Sequence, residues 1–265
     1  MKSLKQKFRD CDLITGMHIC LSDPAVTELC ASIGYDFLWI ESEHSPMDYQ
    51  NILLNLIAAR AGGTAAIVRI PYNDPMLAKR ALEMGGDGII FPMVSSKEEC
   101  DLAIASTLYP PRGIRGFGPQ RAVMYGLKDA DEYVNADSLE MIRIVQVETA
   151  HCIEHELDAM LDNPWIDCVM LGPCDLAASI GRLPDITCKE SVRLQDKALE
   201  KIRKAGKSAG TSIGSTDANW IRSWYDRGAN VISCGTETGH IISGASRTLA
   251  MIKGESFSDL EGGAV

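Results

Sequence analysis

A (β/α)8 barrel of the TIM-barrel type, folded as one α/β domain, is the fold class this sequence predicts, and three observations predict it. Short β-rich runs alternate with longer helical patterns eight times along the 265 residues. Most of the runs are nearly continuous in apolar residues, as parallel strands covered on both faces must be. The length also matches the usual size of such a barrel, about 250 residues. Open sheets of eight strands exist too, so ring closure is an expectation that the pattern does not force.

Taken in order, strands are expected over 13–20, 36–41, 65–70, 88–92, 142–148, 166–172, 208–213 and 231–235. Each is short, and most are apolar with β-branched or aromatic residues, from L-I-T-G-M-H-I-C through D-F-L-W-I-E and A-A-I-V-R-I to V-I-S-C-G. Helices are expected over 24–33, 48–61, 75–84, 97–107, 151–161, 189–205, 217–227 and 237–253. Asp74 followed by Pro75 reads as an N-cap with proline at the first helical position. Gly34, Gly85, Gly206 and Gly228 follow helices, where a left-handed residue often closes the last turn. One connection breaks the rhythm. Between Leu108 and Leu139 the chain runs Y-P-P-R-G-I-R-G-F-G-P and then a polar stretch with one weak helix, 129–137. A connection of that length points to a lid, a binding loop or an interface. The barrel is assigned to 1–254, and the glycine-, serine- and acid-rich stretch 255–265 to a flexible tail.

Composition excludes several classes of function. Apolar residues make up 46% and charged residues 23%, the balance of a globular protein. The 26 basic and 36 acidic side chains give a formal charge of -10, which argues against nucleic acid or an anionic membrane as a partner. No apolar run is long enough to span a bilayer. The first twelve residues are charged and lack the apolar core of a secretory signal, so a cytoplasmic location is expected. The nine cysteines form no C-x-x-C pair, and Cys20, Cys168 and Cys234 lie in apolar stretches, where they read as small buried hydrophobes in a reducing compartment.

In such a barrel the chemistry sits at the C-terminal ends of the strands. Those positions hold Glu41, Glu43 and His44, then Arg69, then Gln146 and Glu148, then Asp175. Each has an ordinary alternative: a carboxylate can cap a helix, an arginine can pair with a neighbouring acid, a histidine can be a satisfied structural residue. Four strands converge on one mouth, however, and gathering that much charge is costly unless the groups satisfy one another or hold an ion. Glu148 and Asp175 offer hard oxygens suited to Mg²⁺ or Mn²⁺. The run L-G-P-C-D-L-A bends the chain after the sixth strand, and amides near Cys174 and Asp175 are placed to open a short helix, a seat for a carboxylate or phosphate. A plain loop with Asp175 as N-cap fits the same residues. No lysine falls at the C-terminal end of an expected strand, so a Schiff-base mechanism lacks its amine. Phosphate-loop, dinucleotide and nucleophile-elbow motifs are absent.

Six motifs in order resemble the HpcH/HpaI aldolase family of metal-dependent 2-oxo acid aldolases. They are G-Y-D-F-L-W-I-E-S-E-H-S-P at 34–46, V-R-I-P-Y-N-D-P at 68–75, G-G-D-G-I-I-F-P-M-V at 85–94, Y-P-P-R-G-I-R-G at 109–116, V-Q-V-E-T at 145–149 and L-G-P-C-D-L-A at 171–177. The resemblance implies a (β/α)8 barrel assembled as a homo-hexamer, with the last helix packed against, or exchanged with, a neighbouring subunit. It implies that Glu148 and Asp175 bind a divalent metal, Mg²⁺, Mn²⁺ or Co²⁺, and that Arg69 contacts the oxo group of the substrate. It makes Gln146 a neighbouring substrate contact, His44 part of the acid–base machinery, and the amides around Cys174 and Asp175 the carboxylate seat. Two positions depart from the pattern. Glu41 stands where such proteins often carry aspartate, and Glu83 where some do. A glutamate adds about 1.5 Å of reach, a large change for a catalytic hydrogen bond.

The activity implied is reversible cleavage of a 4-hydroxy-2-oxo acid to pyruvate and an aldehyde through a metal-stabilised enolate, with Arg69 supporting the oxyanion and His44, Glu41 and Glu83 serving proton transfer. The aldehyde is expected toward the 108–139 loop, with or without help from another subunit, where Arg112 and Arg115 offer guanidinium groups for a distal carboxylate or for surface and interface salt bridges. Oxaloacetate decarboxylation and acyl-CoA lyase chemistry are alternatives on the same scaffold, as is a barrel that binds a 2-oxo acid or metal without turnover.

Overall fold

The structure, a computed structural model, describes residues 2–254; the tail expected at 255–265 lies outside the described residues. Eight parallel strands close into a barrel in chain order: β1 Ile14–Ile19, β2 Phe37–Glu41, β3 Ala65–Arg69, β4 Gly88–Phe91, β5 Ile142–Val147, β6 Cys168–Leu171, β7 Ser208–Ile213 and β8 Val231–Thr236. Every strand therefore lies within two residues of where its apolar run places it. Closure follows from the pairing of β8 with β1, Ile14 opposite Val231, which no single run of sequence displays.

The helices are α1 Leu4–Arg9, α2 Pro24–Ala31, α3 Tyr49–Gly62, α4 Pro75–Glu83, α5 Lys97–Ala105, α6 Ala130–Asn135, α7 Leu157–Leu161, α8 Pro173–Ser179, α9 Lys189–Lys204, α10 Ala218–Asp226 and α11 Glu237–Lys253. Asp74 caps α4 as expected, accepting the amides of Met76 and Leu77. Gly34, Gly85, Gly206 and Gly228 all have positive φ, the conformation that a β-carbon would strain. The helix expected over 151–161 is opened by a wider turn over Cys152–Glu156 before α7 begins. Cys168 is fully buried, but Cys20 and Cys234 are only half-buried, because each stands near a strand end where the barrel opens.

Two apolar layers result from strand alternation. Outward-facing residues pack beneath the helices, while Ile14, Phe37, Trp39, Ile67, Ile90, Ile142, Ile144, Cys168, Met170 and Val231 fill the barrel. Large inward side chains lie against glycines on adjacent strands: a β-carbon on Gly16 would meet the Phe37 ring at 2.5 Å, and one on Gly210 the Met170 sulfur at 1.9 Å. α1, which the sequence pattern did not signal, plugs the N-terminal end. Its Phe8 joins the barrel interior, and Lys5 donates to the Met141 carbonyl at 2.9 Å and to Asp167 at 2.7 Å.

The long 108–139 connection corrects an expectation. It leaves the C-terminal end of α5 and enters the N-terminal end of β5, so within this chain it lies at the N-terminal face, opposite the strand ends that carry Glu41 and Arg69. Its contacts agree. Arg121 donates to the Met84 carbonyl at 2.6 Å, in the turn that leads from α4 into β4. Buried Arg143 at the start of β5 donates to the carbonyls of Ser138, Leu139 and Met141. Arg115 is buried rather than open to a substrate: it donates to the Tyr133 hydroxyl at 3.1 Å and lies over the Tyr109 ring. Arg112 is exposed at that same face.

Candidate active site at the C-terminal mouth

Alternation along each strand also builds the site. Inward positions on β2 are Phe37, Trp39 and Glu41; on β3, Ile67 and Arg69; on β5, Ile142, Ile144 and Gln146, with Glu148 next in the series; on β6, Cys168 and Met170, then Gly172. Apolar fill thus gives way to polar groups at one end of the barrel.

Glu41 is the hub of this layer. It is 2% exposed. Its Oε1 accepts the amides of Glu43 at 2.6 Å and His44 at 2.8 Å, fixing the turn that presents both side chains. Its Oε2 accepts Trp39 Nε1–H at 3.0 Å and Arg69 Nε–H at 2.6 Å, and Arg69 Nη2 makes a further ion-pair contact. Burial works to raise the carboxyl's pKa, but the guanidinium and the two amides outweigh it and hold Glu41 below the usual carboxylate value. Glu41 is therefore an ionised anchor with its lone pairs committed to donors.

Arg69 reaches across the mouth. Nη1 donates to Gln146 Oε1 at 3.3 Å and stands 2.8 Å from Glu43 Oε2, an ion-pair contact off the hydrogen-bond direction. Glu43 Oε2 is also 3.9 Å from His44 Nε2. Burial raises the pKa of Glu43, and the charges of Glu41 and Asp175 add to that against the pull of Arg69 and His44. The acid beside the His44 ring is thus Glu43, while Glu41 holds the His44 backbone. The His44 side chain is 68% exposed and faces the opening.

Gln146 Nε2 donates to Glu148 Oε1 at 3.1 Å, and the Met93 amide donates to Oε2 at 2.8 Å. Gly172 provides the space that this carboxylate occupies, since a β-carbon there would lie 2.1 Å from Oε1. Glu148 is 2% exposed and makes no ion pair among the described residues. Burial pushes its pKa up to about 7, and repulsion from Asp175 and Glu43 contributes. Asp175 lies in the first turn of α8, exposed, with Cys174 exposed beside it. The short helix expected from L-G-P-C-D-L-A is α8.

The structure brings together Glu41, His44, Arg69, Gln146, Glu148, Cys174 and Asp175. It does not bring Glu83 to them: this residue ends α4, near the N-terminal face, where its carboxylate approaches Gly118 and acts on Tyr109. Reading the strand termini also missed His18 and Trp39, one layer below the rim. Their rings stack at 4.6 Å. The signal was present in the alternation, because Trp39 stands two residues before Glu41 on the same face.

A closed parallel barrel with acids, an arginine and a histidine at its C-terminal mouth defines a class of barrel enzymes. Comparison with known proteins specifies which one: residues 15–244 match the HpcH/HpaI aldolase/citrate lyase family, and the chain belongs to that family. It is a carbon–carbon lyase of the aldolase type. A hydroxypyruvate/pyruvate aldolase of Roseovarius nubinhibens is 36% identical over 90% of this chain and 92% of its own. A 4-hydroxy-2-oxovalerate aldolase of Novosphingobium aromaticivorans is 33% identical over 92% of each chain. Among solved structures, a HpcH/HpaI aldolase/citrate lyase family protein from Burkholderia cenocepacia superposes with a TM-score of 0.89 at 29% identity, covering 96% of this chain and 100% of that one. No helix among the described residues is long and apolar enough to cross a membrane.

Proposed function

We propose that this chain is a divalent-metal-dependent aldolase that interconverts a 4-hydroxy-2-oxo acid with pyruvate and an aldehyde. One observation carries the reading: three carboxylates, Glu148, Asp175 and Glu43, act on one another across a mouth in which Arg69 and Gln146 are already bonded. Glu148 and Asp175 are the residues that would hold the cation. They fit a dication in kind, because both are hard oxygen donors and Asp175 makes no hydrogen bond or ion pair among the described residues. The repulsion that helps to raise Glu148 is the repulsion a bound cation relieves. When bound, Mg²⁺, Mn²⁺ or Co²⁺ supplies Lewis-acid polarisation of the oxo acid.

The remaining work falls to the side chains. Two of the five guanidinium N–H groups of Arg69 are committed in aligned hydrogen bonds, to Glu41 and Gln146. Nη2 also contacts Glu41 and Nη1 also stands beside Glu43. The N–H groups directed away from these acids serve the negative charge that develops on the substrate's oxo oxygen, where a preorganised donor gives most benefit. Gln146 keeps Arg69 and Glu148 in a fixed relation. His44 moves the proton between the methyl carbon, the aldol hydroxyl and solvent, with Glu43 as its neighbouring acid. First-turn amides of α8 at Cys174 and Asp175, which have no preceding turn to bond, receive the substrate carboxylate. The aldehyde is admitted past exposed His44, on the C-terminal side. Glu83 has no part in this scheme within one chain. We also propose a cytoplasmic homo-hexamer in which α11, with Ile241, Ile242, Leu249, Met251 and Ile252 exposed, is covered by a neighbouring subunit.

The test is retro-aldol cleavage of 4-hydroxy-2-oxo acids by wild type and Glu148→Gln, with and without EDTA. Activity that disappears with chelator and returns with Mn²⁺, and a folded Glu148→Gln protein with at least tenfold weaker Mn²⁺ binding, are expected. Full activity after exhaustive metal removal would refute the proposal.

A further inference from the structure

Arg69 and Glu41 do not hold each other in place alone; a second, uncharged layer lies beneath them. Trp39 projects from β2 between β1 and β3. His18 of β1, the register partner of Trp39, stacks on the indole with ring centroids 4.6 Å apart and planes 21° from parallel. The Arg69 guanidinium of β3 lies over the same indole at 5.1 Å. The indole N–H donates to Glu41 Oε2, the oxygen that also receives Arg69. On its other side the chain of contacts reaches β7, where Ser212 Oγ and His18 Nε2 share a hydrogen bond at 3.0 Å. Trp39 is fully buried, and His18 is 7% exposed.

We infer that His18, Trp39 and Ser212 form a positioning layer that sets the direction of the Arg69 guanidinium through the Trp39 face and the shared Glu41 oxygen. The chemistry of the groups supports this division. Trp39 has no proton to exchange at neutral pH, and its single donor is spent on Glu41. A neutral imidazole held between an indole and a hydroxyl offers a flat surface and one fixed hydrogen bond. Glu41, Glu43 and Gln146 hold the guanidinium through its N–H groups, and the Trp39 ring is the surface that lies against it. A shift of about 1 Å in a catalytic group is enough to cost roughly 10²-fold in rate. The inference rests on the reading of Arg69 as the group facing the substrate oxygen.

The experiment follows exchange of the pyruvate methyl protons with deuterated water, in the presence of Mn²⁺, for Trp39→Phe, His18→Ala, His18→Phe, Arg69→Lys and the double variant Trp39→Phe/Arg69→Lys. Pyruvate affinity and thermal midpoint are measured on each. Trp39→Phe keeps a smaller aromatic face and removes the donor, and is expected to lower kcat about tenfold or more with KM changed less than threefold. His18→Ala should do the same, and His18→Phe, which restores a stacking surface, should recover most of the loss. In the Arg69→Lys background, Trp39→Phe should cost little more, because both changes act through one guanidinium. Wild-type kcat in Trp39→Phe and His18→Ala, or full additivity with Arg69→Lys, would overturn the inference. So would a His18→Phe protein as slow as His18→Ala, which would show that a stacking face at this position does not support Arg69. An Arg69→Lys protein with wild-type exchange would instead refute the role given to Arg69 under the proposed function.

Discussion

Replacing Gly172 by alanine separates the site from the fold that carries it. The backbone there has φ -101° and ψ 96°, a region that alanine adopts without strain. What alanine adds is a β-carbon 2.1 Å from Glu148 Oε1, 3.0 Å from its Cδ and 3.1 Å from its Cγ. An ordinary contact begins near 3.4 Å, so the carboxylate oxygen must retreat by more than 1 Å. That movement breaks the 3.1 Å bond from Gln146 and strains the 2.8 Å bond from the Met93 amide. Because the carboxylate is the end of a side chain that can swing toward the open mouth, the loss in stability should fall at the low end of overpacking costs, about 1–2 kcal/mol. In a chain of this length that lowers the thermal midpoint by on the order of 5 °C. The functional loss should be far larger, roughly 10²-fold in pyruvate proton exchange, with Mn²⁺ affinity reduced at least tenfold. Calorimetric titration with Mn²⁺ and proton nuclear magnetic resonance in deuterated water measure both. A Gly172→Ala protein with the expected fall in midpoint but unchanged Mn²⁺ affinity and exchange would refute the placing of Glu148 at the reacting centre.

Three further outcomes are expected. Arg69→Lys should lose about 10²-fold in kcat while Mn²⁺ affinity stays within about twofold, because an ammonium supplies charge without the planar fork that spans Glu41 and Gln146; steady-state kinetics and titration separate the two. His18, buried and beside Arg69, has its pKa lowered from 6.5 to about 4, so the folded state resists protonating it. The associated stability is present above pH 6.5 and is lost as pH falls toward 4, by up to roughly 3 kcal/mol. Denaturant midpoints at pH 7 and pH 4.5 should therefore diverge more for wild type than for His18→Phe, and equal losses would contradict the burial of a neutral imidazole. Phe8→Ala removes the ring that closes the N-terminal end of the barrel and should cost about 3–5 kcal/mol in urea unfolding, with the kcat of the folded protein within about twofold of wild type.

Most strands were legible because burial on both faces leaves a nearly unbroken apolar run, and on β2, β3 and β5 the run ends where an inward position turns polar. Arg69 and Gln146 are visible for that reason: each follows an inward isoleucine by two residues. Helix ends were legible where chemistry demanded one residue type, as at Asp74-Pro75 and Gly228. α1 was not, since six residues carry too little periodicity, and Phe8 is buried only because an open barrel end exists to receive it. The roles of the two acids in E-S-E-H could not be read either. Two residues apart, they would share one face of a continuing strand, so spacing does not tell them apart, and the choice of Glu41 as anchor depends on Arg69 and Trp39 reaching the same oxygen.

The long loop and Glu83 make a different point. Both lie where a helix hands over to the next strand, and in a barrel every such junction belongs to the N-terminal face. The element order alone places 108–139 and Glu83 away from Arg69 within one chain, whatever the loop's length or the acid's charge suggests. Function at those positions is therefore confined to two forms: holding the lower end of the barrel together, as buried Arg115 and Arg143 do, or reaching a neighbouring subunit. The first form predicts that Arg115→Ala lowers thermal stability in the isolated chain. The second predicts that Glu83→Gln changes kcat only when the protein is assembled. Measuring kcat across a dilution series that dissociates the oligomer distinguishes them, and a Glu83→Gln effect that persists at the lowest concentration would contradict the placement of Glu83 outside its own chain's site.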